Sequence, residues 1–156
     1  MKCYKRFKRL LFVSVMLIMA GFMATTGCSS DTGEVPEVPD EVVTVQAFME
    51  AFNERSVSGM LRHVDDNLRW YRIRDDQMVL ETYGRDAFRT SMRSYFDSLE
   101  EVRSEIESIT WNGPFVSLRE RVTWASRTGQ QSQSALAVYE LKNGKIVRAW
   151  YYNASD

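Results

Sequence analysis

The stretch VRSEIESITWNGPFVSLRERVTWASRTGQQSQSALAVYELKNGKIVRAWYY, residues 102–152, decides the fold. It sets runs of branched and aromatic residues between three reversals, Asn112-Gly113-Pro114, Thr128-Gly129-Gln130 and Asn143-Gly144. Glycine at such places reaches backbone angles that tight turns require and other residues resist. The spacing predicts four consecutive strands, Val102–Trp111, Phe115–Arg127, Gln131–Lys142 and Lys145–Tyr152. Strands joined by turns this short must run antiparallel.

Upstream of this stretch the apolar period changes. Phe88, Met92, Tyr95, Phe96 and Leu99 form one stripe, with Arg89, Arg93 and Asp97 turned outward, which predicts a helix over about 85–99. Before it, Leu68–Arg74 and Gln77–Tyr83 flank Asp75-Asp76 and read as a hairpin. Two short amphipathic helices open the domain. Val45, Phe48, Met49 and Phe52 carry the first; Val57, Met60, Leu61 and Val64 carry the second, with Ser56 as its cap. The order ααββαββββ is an α+β arrangement, and residues 42–156 suit one domain with one core.

The first 41 residues have a different character. Lys2, Lys5, Arg6, Lys8 and Arg9 precede an apolar run from Leu10 to Ala24, shorter than the roughly 20 residues a membrane span needs. Small residues then lead through Gly27 into Cys28. This order resembles the signal and lipobox of bacterial lipoproteins, with Thr25 where that pattern usually has leucine. The resemblance implies a signal peptide over 1–27, removed on export, and a lipid on Cys28 that holds the protein to a membrane. Residues 28–41, with Pro36, Pro39 and a run of acids, have no hydrophobic period and read as an extended tether. The expected location is the bacterial cell envelope. In a two-membrane envelope, Ser29 after the lipidated residue resembles the pattern of lipoproteins sent to the outer membrane, facing the periplasm.

Charge excludes one class of partner. Five of the 20 Lys and Arg residues lie in the first nine positions while all 21 acidic residues follow them, so processing leaves a net charge near −6. Such a chain offers no basic footprint for nucleic acid, and contact with the membrane is expected through the lipid alone.

The element order and several stretches resemble the superfamily of nuclear transport factor two, ketosteroid isomerase and the SnoaL-like polyketide cyclases. Its carriers are Val45-Gln46-Ala47-Phe48 with Ala51-Phe52-Asn53, Gly59-Met60-Leu61 through Asp65-Asp66 into the strand with Trp70, and Lys142-Asn143-Gly144-Lys145-Ile146-Val147. The resemblance implies a strongly curved antiparallel sheet wrapped around the long third helix, a cone whose open end accepts an apolar small molecule. It does not fix a function, because this fold hosts several. The positions corresponding to the isomerase tyrosine, base and protonated aspartate hold Phe48, Tyr71 or Arg72, and Ala137. None can do the original work.

Other chemistries find few residues. Zinc needs three or four His, Cys or carboxylate ligands, whereas the chain has one histidine, and its mature form has one cysteine, assigned to lipid. There is no glycine-rich phosphate loop and no serine elbow. No metal and no cofactor is expected. The remaining candidate is Glu120, which alternation places on one face of its strand with Val116, Leu118, Val122 and Trp124. Apolar walls destabilise a carboxylate's charge and lift its pKa into a range useful for acid–base work. The favoured competing assignment is a place near the rim, or an ion pair across the sheet with an arginine such as Arg72 or Arg74. His63, the single histidine, falls at the end of the second helix, where it either faces the helix dipole or moves a proton. Trp70, Tyr83, Trp124 and Tyr139 are the expected aromatic ligand-binding residues alongside it.

Three functions stay open on these grounds. The favoured one is a non-catalytic envelope lipoprotein whose cone binds a small apolar molecule or peptide. The second is a cofactor-free isomerase, dehydratase, lyase or cyclase using Glu120 as acid or base. The third is a scaffold that forms a homodimer through the exposed sheet face or docks in an envelope complex.

Overall fold

The computed structural model describes residues 37–153. The expected signal peptide, Cys28 and most of the expected tether lie outside them. Within them run helix α1 (Asp40–Asn53), helix α2 (Val57–Leu61), strands β1 (Val64–Arg74) and β2 (Gln77–Tyr83), helix α3 (Arg85–Ser98), and strands β3 (Arg103–Asn112), β4 (Phe115–Ser126), β5 (Gly129–Lys142) and β6 (Lys145–Asn153). The expected order ααββαββββ is the observed one. Among the described residues no helix is long and apolar enough to cross a membrane.

Helix α1 begins at Asp40, two residues before the expected domain start, where the Pro39 carbonyl accepts from the amides of Val42 and Val43. Asp40 and Glu41 in the first turn suit the positive end of the helix dipole. The second helix is shorter than its apolar spacing suggested. It stops at Leu61, and Val64 is already strand, paired with Ile146. A β-branched residue gains more from a ladder partner than from a frayed helical turn.

The sheet order is β2-β1-β6-β5-β4-β3. Every junction is antiparallel except one: β1 and β6 pair in parallel. The β1–β2 hairpin and the β3–β6 meander are separate antiparallel units, and α3 between them returns the chain so that their free edges meet in the same direction. Register shifts between Trp70 and Tyr71, between Ile106 and Ser108, and between Glu140 and Leu141 mark bulges. Each extra residue bends its strand and increases the twist, which curves the sheet into a cone. The β5–β6 reversal uses Asn143 and Gly144, both with positive φ (52° and 69°), the combination that matches strand twist in a two-residue hairpin.

Both long helices lie on the inner face of the sheet. α1 buries Val42, Val45, Phe48, Met49 and Phe52; α3 buries Phe88 and Phe96. Phe48, Trp70, Phe88 and Tyr139 pack as one aromatic cluster, with ring centroids 5.4–6.3 Å apart. Burying one such ring contributes about 1.5–3 kcal/mol, so this cluster anchors the narrow end of the cone. Two polar clasps fix α1, one to the sheet and one to the end of α3. Asn53 Nδ2 donates to the Ser104 carbonyl at 2.8 Å while its Oδ1 accepts from the Ser104 amide at 2.7 Å. Arg55 donates to the carbonyls of Phe96 and Leu99, supplying the cation that the last turn of α3 lacks.

Candidate functional site

Above the aromatic cluster the cone stays open as a pocket of about 830 Å³. That volume matches a drug-sized molecule. α1 contributes Phe48, Met49 and Phe52, α3 contributes Met92, Tyr95 and Leu99, and the sheet contributes Trp70, Trp124 and Tyr151. These apolar walls share the lining with Arg72, Glu81 and several serine and threonine hydroxyls. At their back lies one carboxyl group, Glu120.

Glu120 is 1% exposed. Strand β4 alternates without interruption against β5, so Val116, Leu118, Glu120, Val122 and Trp124 share the inner face as their spacing predicts. One carboxylate oxygen accepts the hydroxyl of Ser104 on β3, and the other accepts the hydroxyl of Tyr151 on β6. Burial pushes its pKa up to about 7, and the Ser104 hydrogen bond opposes that shift. No arginine is its partner among the described residues. Arg72 pairs with Glu81 instead, Nε to Oε1 at 2.7 Å, and the expected Glu120–arginine bridge does not form.

Tyr151 reaches Glu120 over small residues. On β5, Ala137 stands opposite Tyr151 and Ala135 opposite Glu120. Side chains of any length there would fill the gap between the two hydrogen-bonding partners. The Tyr151 ring also stacks on Trp70, centroids 5.2 Å apart at 22°, which fixes its orientation. Tyr95 faces the same space. Burial raises its pKa, Glu120 raises it further, and Arg72 lowers it, so the phenol feels both charges.

The sequence-derived candidates separate into three groups. Glu120, Trp70 and Trp124 line the pocket. Tyr139 is fully buried beside it, its hydroxyl on the Met49 sulfur at 3.7 Å, and serves as core rather than wall. Burial and then Glu120 push its phenol well above the usual range. Tyr83 and His63 lie elsewhere. Tyr83 is 53% exposed, with its ring 5.8 Å from the Arg69 guanidinium. His63 sits between α2 and β1, its carbonyl accepting the Ile146 amide at 2.8 Å. Burial, Lys145 and Arg62 lower its pKa, the opposite of what a helix C-terminus would do.

Tyr151 and the Arg72–Glu81 pair line the pocket, and Ser104 holds Glu120 from β3; sequence reasoning assigned none of these roles. Tyr151 is hidden by a bulge. Strict alternation from Ile146 would send Trp150 inward, but the shift between the pairs Leu141–Ile146 and Glu140–Arg148 moves Ala149 and Tyr151 to the inner face. Among the described residues no group of three or more His, Cys, Asp or Glu side chains is placed to hold a metal ion.

With this geometry in view, residues 45–149 match the SnoaL-like domain family. The chain belongs to that family. This SnoaL-like domain is also similar in fold to solved structures at low identity. One is an LEH-like epoxide hydrolase from M. tuberculosis, 17% identical over 76% of this chain and 86% of that one, with a TM-score of 0.64. A cystatin fold protein from Novosphingobium aromaticivorans is 19% identical, covers 74% and 98%, and has a TM-score of 0.62. An NTF2-like protein of unknown function from Cytophaga hutchinsonii is 14% identical, covers 78% and 95%, and has a TM-score of 0.59. Among functionally curated proteins the SnoaL-like chain has no sequence match.

Proposed function

We propose that this SnoaL-like domain binds a mainly apolar small molecule in its cone and that Glu120 exchanges a proton with it, without a cofactor. The carrying observation is a carboxyl group buried at the back of an apolar pocket, with a pKa of about 7 and hydroxyls on both oxygens. A group with that pKa is present in both protonation states at neutral pH, the condition under which one residue can take a proton and return it. Ser104 and Tyr151 hold the carboxyl in place, so that one of its oxygens meets a C–H or a leaving oxygen at a set distance. The reaction class is proton transfer beside a polarised group, as in isomerisation, dehydration or cyclisation. Such chemistry needs an apolar wall more than it needs a metal. This reading moves beyond the purely non-catalytic binder that the sequence favoured, because the pocket contains a hydrogen-bonded acid and not only hydrocarbon.

The signal segment and Cys28 extend the reading to location. They support a lipid-anchored protein of the cell envelope, with the cone held off the membrane by the tether. Native mass spectrometry of the protein from its own source tests the ligand directly. A retained apolar molecule, turned over by the wild-type protein and not by Glu120→Gln, is the expected result; turnover unaffected by that substitution ends the catalytic assignment.

The outer face of the sheet supports a second reading, self-association. Leu80, Tyr71, Trp150 and Val138 form one cross-strand row over β2, β1, β6 and β5. Met78, Ile73, Tyr152 and Leu136 form the next. Leu136 is 47% exposed and Tyr71 stacks on Trp150 at 6.1 Å. A continuous apolar face of this kind is what a second copy would cover. Sedimentation should report a dimer, and Leu136→Lys should convert it to monomer; a wild-type monomer at micromolar concentration removes the reading.

A further inference from the structure

The mouth of the cone is built by a bulge. Trp70 stands opposite Thr82 and Tyr71 opposite Leu80, which leaves Glu81 as the extra residue of β2. The pleat of a regular strand would turn Glu81 away from Thr82, but the bulge brings both to the pocket side. There Glu81 holds Arg72 by its Nε edge at 2.7 Å. Arg72 makes no other hydrogen bond or ion pair among the described residues, so its terminal guanidinium nitrogens stay available. About a third of each side chain is exposed, 36% for Arg72 and 29% for Glu81, which places the pair at the rim.

Resting on the ligand-binding reading of the cone, we infer that the preferred ligand is an apolar anion: a hydrocarbon or ring body enclosed by the walls and one oxyanion group held at the mouth by Arg72. The physical reason is desolvation. A neutral apolar molecule that fills the cone covers the guanidinium edge and strips its water without replacing it, which leaves donors unsatisfied. A carboxylate or sulfonate replaces those waters with charge-assisted, bidentate hydrogen bonds. The hydroxyl of Ser94, which lines the same pocket from α3, adds a further donor. The charge distribution also orients the ligand. Glu120 at the back repels an anionic head, so the head stays at Arg72 and the apolar body extends towards the carboxyl. Tyr95 lines the same pocket, and its phenol feels both Glu120 and Arg72.

A matched pair of fluorescent probes tests this. 8-Anilinonaphthalene-1-sulfonate and N-phenyl-1-naphthylamine share one apolar body and differ in the sulfonate. They are titrated into the mature chain from residue 28, carrying Cys28→Ser so that no lipid competes. The sulfonate probe should bind about tenfold more tightly than the neutral one, the effect of one strong charge-assisted contact. Arg72→Gln should abolish that preference while leaving the neutral probe's affinity within about twofold. Ser94→Trp, at an exposed helix position on the rim, should block both probes. Equal affinity of the two probes, an equal loss of both on Arg72→Gln, or sulfonate binding that survives Ser94→Trp overturns the inference while leaving a ligand-binding cone in place. Failure of the wild-type protein to bind either probe overturns the ligand-binding reading itself, and the inference with it.

Discussion

Tyr151 on β6 reaches across the whole width of β5 to donate its hydroxyl to Glu120 on β4. The contact exists because β5 presents Ala135 and Ala137 at the two positions beneath it. Ala137 is useful here for what it lacks. It leaves space for a phenol from the next strand to satisfy a buried acid.

The raised pKa of Glu120 makes the fold sensitive to pH. Its folded pKa, about 7, exceeds the ordinary value of 4.5, so the folded state keeps a proton that the unfolded chain releases in between. Stability is therefore full below about pH 4.5 and falls as pH rises to about 7, by roughly 3 kcal/mol. Glu120→Gln, which keeps the shape and stays neutral, should flatten this dependence and be at least as stable as wild type at pH 8. Denaturant titrations at pH 5 and pH 8 on both proteins check it. A marked loss of stability in the variant at both pH values would show that the carboxylate has a cationic partner.

Ala135→Leu should obstruct the reach of Tyr151. Ala135 lines the pocket, and a longer side chain there meets the gap between the phenol and the carboxyl. Overpacking of this kind costs about 1–3 kcal/mol. Because a hydroxyl donated to the carboxylate favours its charged form, losing Tyr151 should raise the Glu120 titration still further, as followed by carboxyl infrared or carbon NMR signals, together with a reduced capacity for ligand; an unchanged titration would mean that Tyr151 does not govern the acid.

Phe96→Ala tests the packing of α3. The ring is buried, 5.3 Å from Phe52 between centroids, with the Arg55 guanidinium 5.0 Å above it. Removing it leaves a cavity and unsupports that cation, at a cost of about 3–5 kcal/mol. Equilibrium unfolding measures this directly, and a loss under about 1 kcal/mol would place the ring outside the core.

Cys28→Ala should move the protein out of the membrane fraction, or leave it unprocessed, with the folded domain unchanged. The basic start, the apolar run and the small residues before Cys28 motivate the expectation. Fractionation followed by circular dichroism of the soluble form provides the readout. A correctly processed variant that stays in the membrane would remove the lipid from the account.

The sequence by itself determined the elements and the face on which Glu120 lies, because both depend on local periods. The glycine reversals and the apolar stripe on α3 act over a few residues, and β4 meets β5 with no register shift, so simple alternation carries Glu120 inward. Tertiary structure decided what surrounds it. The bulge on β6 changes which face Tyr151 occupies, and the bulge on β2 brings Glu81 to Arg72; both follow from how one strand's ladder meets its neighbour's. The parallel meeting of β1 and β6 has the same origin, since it joins the free edges of two units that lie far apart in the chain. Tyr139, Tyr83 and His63 are alike in being aromatic, yet one is core, one is surface and one lies in a connection. Burial is set by the strands and helices packed around a residue, and those neighbours lie far away in the chain.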